Sequence, residues 1–154
     1  MKDNVIFEEV QHSWWIRLLF WVIIIALGCS YYFQWGENPI SLAVFLGIGA
    51  LLLVTSFVFS TLRIQLTATE LKASFGIKWL TQKVNVSEID FSTVKVENAP
   101  ILYGIGLRLT PKGTLYNTKP GKAIWLKSIN GKTFFVGTEK AEELKTLILS
   151  LKQL

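Results

Sequence analysis

Residues 14–33 read WWIRLLFWVIIIALGCSYYF and residues 40–62 read ISLAVFLGIGALLLVTSFVFSTL, two apolar runs with only Gln34-Trp35-Gly36-Glu37-Asn38-Pro39 between them. At about 1.5 Å of helical rise per residue, each run is long enough to cross the roughly 30 Å hydrocarbon core of a bilayer. So short a link predicts an antiparallel pair of transmembrane helices over 14–33 and 40–62, a hairpin filling residues 14–62. Arg17 lies near one end, where its side chain can snorkel to the headgroups. Trp14, Trp15, Tyr31, Tyr32 and Trp35 flank the ends as interfacial anchors. The first run is not a cleaved signal peptide by its pattern: it is too long, no small-residue cleavage site follows it, and a second span comes at once.

Charge decides orientation, because Lys and Arg resist translocation. Between Leu18 and Leu62 the only charged residue is Glu37, and the interhelical link carries no Lys or Arg. Lys2 and Arg17 precede the first span's apolar centre, and Arg63, Lys72, Lys78 and Lys83 follow the second. Both termini are therefore expected in the cytoplasm, with residues 1–13 as a short flank and the chain integral to the cytoplasmic membrane. Neither span has Asp, Glu, Lys or His in its central part, which removes the usual mark of an ion or proton path and leaves an anchor. Gly28, Gly47 and Gly49 offer close helix approach, and Ser56 or Ser60 a hydrogen bond across the pair; lipid-exposed small residues are the plainer reading.

Charged residues make up 18% of the 154-residue chain although 51% is apolar, so two regions of unlike composition are joined. From Arg63 onward the chain has fourteen Lys/Arg against seven Asp/Glu. The single cysteine, Cys29, lies in the first apolar run and excludes an internal disulfide or a multi-cysteine metal site.

After Leu62 the apolar period becomes alternating, which predicts strands over 63–67, 71–75, 78–81, 91–97, 105–109, 123–129 and 133–136. Phe75-Gly76 and Thr110-Pro111-Lys112-Gly113 are turn signals. Asn130-Gly131, between runs of β-branched and aromatic residues, predicts a two-residue hairpin joining the last two strands. Thr138 is placed to cap a helix, Glu139 falls in its first turn, and Ala141, Leu144, Ile148 and Leu151 recur at helical spacing.

Two spans, seven short strands and one closing helix are the element order of a pleckstrin-homology-like domain behind a membrane anchor. Tyr103-Gly104-Ile105-Gly106-Leu107-Arg108, Tyr116-Asn117, Gly121-Lys122-Ala123-Ile124-Trp125-Leu126, Asn130-Gly131-Lys132 and Val136-Gly137-Thr138-Glu139-Lys140 with Glu143-Leu144 carry the resemblance. On these the chain resembles small bacterial two-span membrane proteins with a pleckstrin-homology-like domain, although Ile105 stands where members often have an aromatic. The resemblance implies, for residues 63–154, a seven-stranded antiparallel, partly open barrel capped by the C-terminal helix. It implies a fold more than an activity.

The expected domain is poor in reactive groups. It has no His or Cys, and no acid between Asn98 and Thr138, so acid–base catalysis, a metal and a cofactor are not expected. His12 reads as an interfacial residue, and Glu88 and Asp90 as a solvated turn. Gly104 and Gly106 lack the helix start and Gly-Lys-Ser/Thr run of a phosphate loop and read as a bend in a strand.

Arg108, Lys112, Lys119, Lys122, Lys127 and Lys132 fill the acid-free stretch and define a candidate basic surface. It suits anionic lipid headgroups, since each cation near an anionic leaflet gains up to about 1 kcal/mol; an ordinary solvated face fits the same residues. Tyr103, Tyr116 and Trp125 fit a strand core better than base stacking, so nucleic acid is not expected. The function expected is a non-catalytic, membrane-anchored module that binds a protein or peptide partner. An anionic-lipid-interacting accessory of an envelope or transport assembly, joined through its spans, is the alternative.

Overall fold

His12 and Thr61 face each other across an antiparallel strand pair, and the chain between them makes both apolar helices. The computed structural model describes residues 4–76 and 80–153. Strand β1 (Val5–His12) is followed, after Ser13 alone, by helix α1 (Trp14–Tyr32). Helix α2 (Leu42–Phe59) returns and passes, after Ser60 alone, into β2 (Thr61–Thr67). There follow β3 (Glu70–Phe75), β4 (Leu80–Asn85), β5 (Ile89–Ala99), β6 (Gly106–Thr110), β7 (Gly113–Asn117), β8 (Gly121–Ser128), β9 (Thr133–Gly137) and α3 (Ala141–Ser150). Short 3₁₀ turns occupy Val86–Glu88, Ile101–Tyr103 and Leu151–Gln153.

Both α1 and α2 are long and apolar enough to cross a membrane. Ile16 is the only buried residue of α1 and Ser56 the only one of α2, so neither helix is buried inside the domain. Their exposed Trp21, Ile25, Leu51 and Phe57 would cost too much free energy in water and match hydrocarbon instead. At the far end of the hairpin Tyr31 stacks on Phe45, with centroids 5.1 Å apart. A Cβ added at Gly28 would stand 3.9 Å from the Phe45 ring, whereas the space beside Gly47 and Gly49 is open. Ser60 Oγ donates to Phe57 O of its own helix, not across the pair.

The strands form two sheets, ordered β1-β2-β3-β4 and β5-β8-β9-β7-β6. The first is antiparallel throughout; in the second β7 lies parallel to β9. Inward residues Leu62, Ile64 and Leu66 of β2, Leu71 and Phe75 of β3, and Leu126, Phe134 and Val136 of the second sheet make one core, closed by Leu144 and Ile148 of α3. The result is an α+β fold.

Among the described residues nine strands are present, eight of them from β2 onward where seven were expected, and they lie in two sheets that do not close into a barrel. The expected flank over residues 1–13 contributes β1, which pairs with β2 continuously from Phe7 to His12 and, past a register shift, at Val5. β1 escapes a hydrophobic reading because two of its three buried side chains are polar: Phe7, Glu9 and Gln11 point inward. β7 lies in the stretch after the Pro111-Lys112 turn, where Gly113 has φ +114° and a Cβ would meet Thr133 Oγ1 at 2.0 Å. Only glycine lets this hairpin dock on β9.

The expected start of a strand at Lys78 lies outside the described residues, as do the flanking charge Lys2 and the last residue, Leu154. The turn between β8 and β9 spans four residues, 129–132, rather than two. Of Asn130 and Gly131 only Gly131 has positive φ, so the two-residue turn expected there, which needs positive φ at both, does not form. Thr138 does not cap α3 directly. Its hydroxyl donates to Glu9 and accepts from the Lys140 amide at 3.1 Å, one residue before the helix begins.

The polar face of β1 is a buried network. Glu9 accepts from Gln11 Nε2 at 2.6 Å, from Thr138 Oγ1 and from the Glu139 amide at 3.0 Å. Gln11 Nε2 also donates to Gly137 O at 3.0 Å, and its carbonyl oxygen accepts from Thr138's counterpart on the facing loop, Thr118. Replacing Glu9 leaves these buried donors unmet, at about 1–3 kcal/mol. Glu9→Ala is therefore expected to lower the thermal midpoint of the detergent-solubilised protein clearly, and Glu8→Ala, on the exposed face of the same strand, to leave it nearly unchanged. Equal effects of the two would contradict the network.

Candidate functional site

A sheet edge is an unsatisfied row of backbone donors and acceptors, so each of the four edges here must be covered, solvated or used. β1 is tied to the far sheet by Gln11 and Glu9. β4 is tied by Gln82, whose side-chain amide donates to Thr133 O at 2.8 Å and accepts from the Phe135 amide. α3 packs against β5. β6 has β7 on one side and, among the described residues, no strand on the other; its start, Gly106 to Arg108, faces the helices, while Leu109 and Thr110 lie beyond them.

Along β6 the side chains alternate. Leu107 packs at the margin of the core, and Leu109, on the same face, is 88% exposed. The apolar face that Leu107 begins to bury is thus left open one step further along. Two residues of the preceding 3₁₀ turn, Ile101 and Leu102, are also bare, at 79% and 92% exposure.

The start of β6 is set by local chemistry. Gly104 (φ +72°), before β6, and Gly106 (φ +93°), its first residue, turn the chain into the strand, so the bend lies at the start of β6. The buried Asn117 amide holds that bend, donating to Gly104 O at 3.1 Å and to Lys119 O at 3.3 Å. Arg108 Nε donates to Ile105 O at 3.0 Å, and the side chain lies against Gly104. Between this bend and the hairpin is a cavity of about 490 Å³, lined by Trp15, Ile16, Leu19, Phe20, Thr55 and Phe59 of the helices and by Ile105, Gly106, Leu107 and Arg108.

The six residues of the candidate basic surface do not converge. Lys112 pairs with Glu97 at 2.6 Å, Lys119 with Glu139 at 2.5 Å and Lys122 with Glu142 at 4.0 Å. Lys127 Nζ lies 5.6 Å from the centre of the Trp125 ring, which Lys95 approaches to 4.6 Å. Lys132 lines a separate hollow with Lys83 and Glu88, and Arg108 faces the hairpin cavity. Partners separated in sequence thus neutralise half of the acid-free stretch.

The carboxylates serve local structure. Glu88 accepts from Asn85 Nδ2 at 3.0 Å and Asp90 from the Ser92 amide and hydroxyl, neither of them beside Arg108. His12 Nδ1 is 3.4 Å from Thr61 Oγ1 at the foot of the hairpin. Among the described residues no group of three His, Cys, Asp or Glu is placed to hold a metal ion. No protein-family model matches this sequence, and no curated protein is significantly similar to it.

Glu97, with Lys112 on one side and Lys95 at 2.8 Å on the other, clips the β6–β7 turn to β5. The hydrogen bonds from Lys112 and Lys95 hold its carboxyl below the ordinary value of 4.5, and Glu97 raises the Lys112 ammonium above its own. A depressed carboxyl stabilises the fold fully above its unfolded value and loses that contribution as pH falls through the folded one. An NMR titration of the Glu97 carboxyl is expected to show a midpoint below 4.5 that moves back toward it in Lys112→Met. An unmoved midpoint would mean that the clip does not form.

Proposed function

We propose that this protein is a membrane-anchored, non-catalytic binding module whose domain, of the pleckstrin-homology-like type, takes an extended segment of a partner protein along the edge of β6. The observation that carries the reading is that β6 ends its sheet with no strand on its outer side among the described residues and carries bare Leu109. Strand addition draws its affinity from backbone groups and its selectivity from a few side-chain contacts, so it needs none of the reactive residues this domain lacks.

The anchor supports the same reading. Ser13 and Ser60 are the only residues between sheet and helices, so the domain has no tether on which to search; its partner must come to a fixed height above the membrane. Arg63, Lys72 and Lys83 on the domain side, against a link without Lys or Arg, favour the cytoplasmic face. The two sheets and closing helix are compatible with the resemblance, in which the N-terminal strand would be an added edge.

Covering Leu109 in a complex would contribute about 1.5–3 kcal/mol, more than about tenfold in affinity. A photo-crosslinking residue at Thr110 of the full chain, in its native membranes, is therefore expected to give one discrete adduct. Leu109→Lys should reduce that adduct by about tenfold or more, and the same probe at Lys132 should give none. An adduct of twice the chain's mass would identify the partner as a second copy. Absence of an adduct at Thr110, or one insensitive to Leu109→Lys, would overturn strand addition.

A further inference from the structure

We infer that the cavity between the hairpin and β6 is a site for one anionic phospholipid of the surrounding bilayer, its phosphate on Arg108 and an acyl chain along Leu19, Phe20 and Phe59. The site takes Ile105 to Arg108 at the start of β6, and its test does not depend on whether Leu109 and Thr110, further along, take a strand.

Depth comes first. Leu19 and Phe20 lie five and six residues into the hairpin from Trp14, roughly 8–9 Å along the helix axis, and Thr55 lies about 6 Å back from the α2 end. The cavity floor is therefore at the level of hydrocarbon wherever α1 and α2 span the bilayer, and its rim is β6. Its walls are almost wholly apolar, and Thr55 Oγ1 is already bonded to Leu51 O. A free hydrophilic anion would have to dehydrate against those walls, whereas an acyl chain would not.

The rim supplies the complementary charge. Arg108 is anchored by Nε on Ile105 O, and among the described residues no carboxylate lies within ion-pair distance of it, unlike Lys112, Lys119 and Lys122. Its terminal nitrogens form a fork suited to two phosphate oxygens. Gly104 makes room for this pose, since a Cβ there would stand 3.1 Å from Nε in a backbone conformation that already favours glycine. Beside it, Ile101 and Leu102 offer two bare apolar side chains to the interfacial layer.

The test is native mass spectrometry of the full chain in detergent, offered equal amounts of phosphatidylglycerol and phosphatidylcholine with the same acyl chains. The wild type is expected to retain one phosphatidylglycerol in preference to phosphatidylcholine, and excess inorganic phosphate should not displace it. Arg108→Gln should reduce the preference by about fivefold, the effect of one interfacial cation, and Arg108→Lys should keep part of it. Leu19→Trp, which fills the cavity from an exposed position, should remove both lipids. Unchanged preference in Arg108→Gln, or unchanged retention in Leu19→Trp, would overturn the site; displacement by inorganic phosphate would assign it to a soluble anion instead.

Discussion

Everything in this molecule depends on the strand pair at the foot of the hairpin. Ser13 donates its amide to Ser60 O at 2.8 Å, and the register runs outward from there through His12–Thr61 and Gln11–Leu62. The two helices thus leave the same sheet side by side and can cross a membrane only as a pair that returns. Arg63, which follows, reaches Glu8 of the partner strand at 3.3 Å. With Ser13 Oγ bonded to Thr118 O, the second sheet is drawn to the same point. Anchor and domain are one body, and removal of the first apolar run as a leader would take β1 with it.

That rigidity gives meaning to two otherwise ordinary features. An open strand edge on a freely tethered domain is mainly a hazard; on a body fixed to the membrane it meets only what lies at its own height. A cavity beside an apolar helix fills with whatever solvent surrounds that helix, and wherever α1 spans a bilayer the solvent at Leu19 and Phe20 is lipid. The contribution of the domain to either is geometric. It places β6, with Gly106 against the Phe59 ring, where backbone edge, arginine and bilayer meet.

The helices, seven of the nine described strands and the apolar face of α3 were legible because their side chains follow a period that burial imposes. β1 was not, since Glu9 and Gln11 take the inward positions and are satisfied by Thr138, Gly137 and Thr118, more than a hundred residues away. No local pattern announces such a network. The pairing of the candidate basic residues was hidden for a similar reason: a stretch without acids looks uniformly positive, yet Glu97, Glu139 and Glu142 return to it through the fold. Arg108 was named within that surface, but its distinction from the lysines comes from Gly104 and the hairpin cavity. The paired glycines were the available signal, and they shape the start of β6 rather than a bend within it.

Rigid continuity between anchor and domain is the point most open to direct measurement. Spin labels at Glu37, in the link between the helices, and at Glu142, on the exposed side of α3, would be placed in a Cys29→Ala background with the protein in lipid nanodiscs. Electron–electron double resonance between them should give one narrow distance distribution, unchanged by salt. A broad or salt-dependent distribution would mean that the domain swings on its connections, and would contradict the clamped hairpin on which both proposed sites rest.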